Sequence, residues 1–166
     1  MSDGFEIRAV NESDYDFILR VNEENVEVLS PMDRKKLCEF IKMSEMFSVA
    51  LAGGERAAFL IALTEAAATY KSENYQWFKK NFDRFLYIDR IVIDEPFRKK
   101  GLGKMLYQEV FDHAKQHGIP VVTAEIDTVP YNEASLKFHE RMGFAEVGTQ
   151  FIRGGEIKVS LQAAEV

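Results

Sequence analysis

One cysteine, Cys38, stands in the whole chain, so no internal disulfide can form and a reducing, cytoplasmic setting is expected. Long hydrophobic runs are missing too. The longest uninterrupted apolar stretch, Ala57 to Leu63, is far too short to span a bilayer, so no membrane partner is expected. The opening MSDGFEIRAV lacks the basic and apolar regions of a signal peptide. Positive charge is in deficit. With 21 Lys and Arg against 27 Asp and Glu, the net charge of −6 argues against a surface built to grip nucleic acid. No repeat, low-complexity tract or Pro/Gly/Ser linker divides the sequence, so residues 1–166 read as one domain, long enough for a real core.

What is present describes a globular chain: 46% hydrophobic residues and 29% charged. FEIRAV alternates as a first strand. Asn11, with Asp14 three residues on, predicts the cap of a helix carrying Tyr15, Ile18 and Leu19 inward. Ser30 as cap, Pro31 at the first position and Asp33 in the first turn predict a second helix, with Leu37, Phe40 and Ile41 repeating along it. FSVALAGGERAAFLIALTEA reads as a hairpin around Gly53–Gly54, and RFLYIDRIVID as a longer strand. Leu102, Met105, Leu106, Val110 and Ala114 predict a helix closed by Gly118 and Pro120. PVVTAEID is a strand, NEASLKFHERM a helix ended by Gly143, and two last strands flank Gly154–Gly155. The expectation is a mixed α/β sandwich with helices on both sheet faces.

The stretch FRKKGLGK is the local exception to the acidic average. A strand ending at Ile93 feeds a basic turn, and a helix opens on Gly101, Leu102 and Gly103. The N–H groups at a helix start carry partial positive charge and suit an anion. Glycine lets the backbone approach a phosphate with no Cβ in the way. Arg98, Lys99 and Lys104 add full charges at the same spot. The chemistry points to a phosphate or pyrophosphate. A Walker loop is excluded, because it needs an earlier glycine and a Ser or Thr where Met105 stands. A dinucleotide fingerprint needs a third glycine where Leu106 stands.

The run Arg98-Lys99-Lys100-Gly101-Leu102-Gly103 resembles the acyl-CoA pyrophosphate loop of the GNAT superfamily of N-acetyltransferases: Arg or Gln, two residues, Gly, one residue, Gly or Ala. Asn132 and then FHERMGF, closing the next helix at Gly143–Phe144, match the family at the spacing it requires. More narrowly, ENYQWFKKNFDRFLYIDRIVID with FHERMGF is similar to an uncharacterised bacterial subgroup of predicted acetyltransferases. The resemblance covers essentially the whole chain. It implies a mostly antiparallel central sheet of about six or seven strands, acetyl-CoA as cofactor without a metal, and acyl transfer to an amine.

Carried over residue by residue, the resemblance puts the cofactor's pantetheine arm on Ile91, Val92 and Ile93. The pyrophosphate falls on Arg98, Lys99, Gly101, Leu102, Gly103 and Lys104, and Asn132 lies near the far arm. His139 stands where the family commonly has the tyrosine that protonates the departing CoA thiolate. A partly buried structural histidine is the competing reading. Proton acceptors for the amine are sought in Asp89, Glu125, Asp127 and Glu65, with solvent as the alternative. TYKSENYQWFKKNF fits no simple periodic element, and its aromatic residues suit a pocket wall. Tyr70, Tyr75 and Trp77, with Asn22 and Asn25, are therefore the expected acceptor-side residues. The partner is a small-molecule or peptide amine, and a homodimer is allowed. The competing function is a catalytically silent acyl-CoA-binding module.

Overall fold

Gly53 and Gly54 both adopt positive φ, 59° and 84°, the backbone that a tight hairpin turn demands at its two central residues. They join β2 (Met46–Ala52) to β3 (Glu55–Thr64), paired antiparallel. The computed structural model describes residues 4–27, 29–129 and 132–166, with the backbone alone at Val129. Two compact units make up the chain: Met1–Ala67 with Ile88–Glu109, and Ala68–Tyr87 with Val110–Val166. Among the described residues no helix is long and apolar enough to cross a membrane.

In the first unit, β1 (Phe5–Ala9) lies antiparallel to β2, and β4 (Leu86–Ile93) follows β3 in the strand order β1-β2-β3-β4. Ala57 to Leu63 are buried on both faces of β3, which explains the unbroken apolar run in the sequence. Asn11 and Asp14 form a reciprocal capping box at a 3₁₀ turn that leads into α1 (Tyr15–Glu23). Ile18 and Val21 are buried there, while Leu19 is half-buried.

The second helix starts later than the sequence predicts. α2 runs over Arg34–Met43, and its cap is Asp33, whose carboxylate accepts the Lys36 N–H at 2.8 Å. Ser30 has a different partner, described below.

In the second unit, Leu86 and Tyr87 at the start of β4 pair parallel with Val122 and Thr123 of β5 (Val121–Val129). β5 then pairs antiparallel with β7 (Ile157–Glu165), and β7 with β6 (Ala145–Ile152). Among the described residues the fold is mixed α/β with a seven-stranded, mostly antiparallel sheet. The segment read as aperiodic is a helix, α3 (Glu73–Asn81). Ser72 caps it, accepting the Tyr75 N–H at 3.3 Å. Its Trp77 ring lies against Gly148 so closely that a Cβ there would collide with the indole. α4 (Leu102–Gln116) and α5 (Glu133–Arg141) complete the helices.

Asp14 is a buried charge of the first unit, fully enclosed. Arg8 binds both its oxygens at 2.8 Å, Arg56 Nε donates at 2.7 Å, and the Asn11 N–H at 2.9 Å. Burial alone would raise its pKa, but the hydrogen bonds from Arg8 and Arg56 outweigh it and hold the carboxyl well below the usual range. A depressed carboxyl stabilises the fold above its unfolded pKa of about 3.9, and that stability is lost as pH falls further. Acid unfolding of the wild type should therefore steepen below about pH 4, and Asp14→Asn should flatten that limb. At pH 7 Asp14→Ala should cost about 2–3 kcal/mol in urea unfolding, the scale of hydrogen bonds to a charged group. A loss below about 0.5 kcal/mol would contradict the reading.

Candidate functional site

The turn between β4 and α4 has the backbone that a phosphate needs. Lys99 sits at φ 63° and Gly101 at φ 81°, with Lys100 between them outside the left-handed region. Alternating hands of this kind bring successive N–H groups around one concavity, an anion-binding arrangement. A lysine in left-handed backbone is strained, and such strain concentrates at functional turns. The Gly101 carbonyl accepts the Met105 N–H at 3.3 Å. The N–H groups of Leu102, Gly103 and Lys104 therefore precede the first helical bond and have no carbonyl within the helix to meet. Lys99, Lys100 and Lys104 are exposed, while Leu102 is buried and anchors the turn.

Gly103 has ordinary backbone. A Cβ built on it would stand 3.6 Å from Ile93 Cδ1, a normal contact. Glycine is thus not required there for folding.

Beside this turn lies a pocket of about 260 Å³ lined by Asn25, Leu29, Ile91, Val92, Ile93 and Arg98. Arg98 braces it, donating Nε to the Ile93 carbonyl and Nη2 to Asn25 Oδ1, both at 3.0 Å. Asp94 sets the start of the turn. Its carboxylate accepts the Glu95 N–H and takes an ion pair from Arg20 at 3.0 Å. The residues expected for the cofactor's arm and pyrophosphate are therefore gathered in one region of the first unit.

Other expected residues are placed differently. Asn22 is fully buried, and its Oδ1 accepts Arg90 Nη1 at 2.8 Å; Asn25 lines the pocket instead. Asp89 is ion-paired with Arg90 at 2.6 Å. Tyr75, 0% exposed, packs among Tyr70, Phe85 and Tyr87 with ring centroids 5.3–5.7 Å away, inside the core rather than on a pocket wall. Tyr70 is buried beside it, and Trp77 is half-buried. Asn132 is exposed and caps α5, its Oδ1 accepting the Ser135 N–H at 3.2 Å.

On β5 the carboxylates of Glu125 and Asp127 share one face, two residues apart. Glu125 Oε1 accepts the Tyr87 hydroxyl at 2.9 Å. Asp127 is half-buried, and burial raises its pKa against the opposing charge of Arg153. The pairing with β7 slips between Asp127 and Val129, a bulge of the kind that re-aims side chains near active sites.

His139 is buried, 6% exposed, between the rings of Phe138 and Phe144. Its Nδ1 lies 2.7 Å from the Ser135 carbonyl, which can only accept, so Nδ1 carries the hydrogen. Burial lowers the pKa of the ring, with the Ser135 carbonyl opposing. In the neutral ring the one N–H is engaged, and donating a proton requires an imidazolium that burial disfavours. This geometry runs against thiolate protonation by His139. A pH effect on stability follows. Below an unfolded pKa of about 6.5 the unfolded chain takes a proton that the buried ring resists, so stability falls as pH drops through that value. His139→Phe should remove this component, leaving urea stability flat between about pH 7 and 5.5; an unchanged slope would contradict it.

Comparison with known proteins adds the following. A family profile described as acetyltransferase (GNAT) family matches residues 14–144. No curated protein sequence matches significantly. Among solved structures, a protein named only provisionally as a phosphinothricin N-acetyltransferase is 25% identical, with a TM-score of 0.73 and 98% of each chain covered. Arabidopsis thaliana Naa50, in complex with the bisubstrate analogue CoA-Ac-MVNAL, is 16% identical at a TM-score of 0.73, covering 98% of this chain and 99% of that one. The yncA protein of Salmonella typhimurium, solved with its cofactor acetyl-CoA, is 15% identical at 0.71, covering 98% and 94%. These last two are likenesses of fold.

Proposed function

The chain belongs to the acetyltransferase (GNAT) family, and on that premise we propose that it is an acyl-CoA-dependent N-acyltransferase. It moves the acetyl group of acetyl-CoA directly to a primary amine, on a small molecule or a peptide, within a ternary complex. The observation that carries this reading is the turn from Arg98 to Lys104, with its alternating backbone hand at Lys99 and Gly101. The residues present fit the cofactor. Leu102, Gly103 and Lys104 would hold the pyrophosphate through their N–H groups, and Lys99 and Lys104 would balance its charge. Ile91, Val92 and Ile93 would line the pantetheine arm. Bound there, acetyl-CoA supplies a thioester activated toward amines.

The protein's own part is to align two reactants and to accept one proton. Asp127 is the proposed acceptor, because burial brings its pKa closer to working pH. Glu125, held by Tyr87, supports it from the same strand. Asp127→Asn should lower kcat by about 10²–10⁴-fold, the usual contribution of general base catalysis, and leave CoA affinity within about twofold. Wild-type kcat in that variant would remove Asp127 from the role.

A second reading is favoured by one observation. His139, in place of the family tyrosine, has its N–H engaged by Ser135. That suits a silent acyl-CoA-binding module. Thiol release from acetyl-CoA across amino acids, arylalkylamines, polyamines and peptide N termini separates the two. Turnover on any of these amines supports the enzyme; tight CoA binding with no turnover supports the module.

A further inference from the structure

Arg90 sits in the middle of an apolar strand with its side chain 3% exposed. A buried guanidinium costs several kcal/mol unless its donors are met, and a well-packed apolar residue often serves stability as well or better. Here the donors are met by the neighbouring Asp89 and by one distant segment of the chain. Nε donates to Asp89 at 2.6 Å, Nη1 to Asn22 Oδ1 at 2.8 Å and to the Ser30 carbonyl at 3.2 Å, and Nη2 to Ser30 Oγ at 2.9 Å. Asn22 Nδ2 donates to that same Ser30 carbonyl at 3.1 Å, and the guanidinium Cζ lies 5.1 Å from the centre of the Phe40 ring. The fork therefore grips the end of α1 and the residue where the connection to α2 returns. Between those two anchors stand Asn25 and Leu29, which line the pocket opposite Ile91, Val92 and Ile93.

We infer that Arg90 is a positioning residue: by holding Asn22 and Ser30 against β4, it fixes Asn25 and Leu29 on the wall of the pocket and so sets the fit of the acceptor amine. The planar fork fixes orientation as well as distance, which an ammonium on a flexible stem cannot do. Naming the guest as an amine rests on the acyltransferase reading; the grip on the wall does not.

The test compares wild type with Arg90→Lys, Arg90→Met and Ser30→Ala, the last removing one acceptor with the guanidinium kept. Amide hydrogen exchange is read for peptides covering residues 22–33 and, as reference, for α4. Exchange in 22–33 should rise at least about tenfold in both Arg90 variants and less in Ser30→Ala, with α4 unchanged. CoA affinity by calorimetry should stay within about threefold. KM for the best amine of the panel above should rise about tenfold or more, because misplacement of about 1 Å at a reacting centre has effects on that scale. Arg90→Lys should recover part of the loss seen in Arg90→Met. Exchange that is unchanged in 22–33, or that rises equally throughout, would overturn the inference. So would CoA affinity and amine KM worsening together. Should the Arg90 variants not fold, Ser30→Ala alone decides by the same measurements. A wild type that fails to bind CoA defeats the functional reading, while the exchange comparison still tests the grip.

Discussion

Gly103→Ile is expected to abolish CoA binding while leaving the fold intact. The two halves of that statement rest on different observations. Position 103 lies in the first turn of α4 with ordinary backbone, and a Cβ there meets Ile93 Cδ1 at 3.6 Å, so a side chain is tolerated from within. From outside, the same Cβ and its branches occupy the space through which a phosphate reaches the N–H groups of the turn. Gly103→Ala should give an intermediate loss, and circular dichroism of both variants should match the wild type. Unchanged CoA affinity in Gly103→Ile, measured by calorimetry, would mean that the anion does not approach here.

Tyr75→Ala is expected to have the largest effect on stability, about 3–5 kcal/mol, the cost of emptying the site of a fully buried aromatic ring. Its ring touches those of Tyr70, Phe85 and Tyr87, so the void opens at the centre of the aromatic cluster under α3. For a chain of this size that corresponds to about 6–20 °C in Tm. Tyr75→Phe keeps the ring and should cost far less. A pocket-wall tyrosine would behave otherwise: alanine would raise the amine's KM and leave Tm nearly unchanged.

These two residues also mark where the sequence was informative. The glycine turn was legible because its signal is local: basic residues, glycines and a helix start within eight residues, each with its own backbone chemistry. The β2–β3 hairpin was legible for the same reason. Tyr75 reads as a pocket-wall residue only if aromatic content is set above spacing. Tyr75, Phe78 and Phe82 follow the 3.6-residue period, and Ser72 with Glu73 signals a helix start, so α3 could have been found. Ser30 and Asn22 could not. Ser30 followed by Pro31 is a sound local cap, yet its hydroxyl accepts from Arg90, 60 residues away, and Asp33 caps the helix in its place. No window of local pattern contains that partner. The sequence shows Asp89 and Arg90 as charges in an apolar strand, which need partners. It gives no means of finding them. His139 likewise showed its position in the motif but not its tautomer, which the Ser135 carbonyl decides.

The central claim is that the Arg98–Lys104 turn receives the pyrophosphate of an acyl-CoA. Amide NMR titration tests it most directly, with CoA compared against pantetheine, which lacks the pyrophosphate. The account predicts that CoA moves the backbone N–H resonances of Leu102, Gly103 and Lys104 most strongly, as expected for amides that gain an anionic acceptor. Pantetheine should leave those three nearly still. If CoA shifted other amides and left these unmoved, or if pantetheine shifted them equally, the turn would not be the phosphate site.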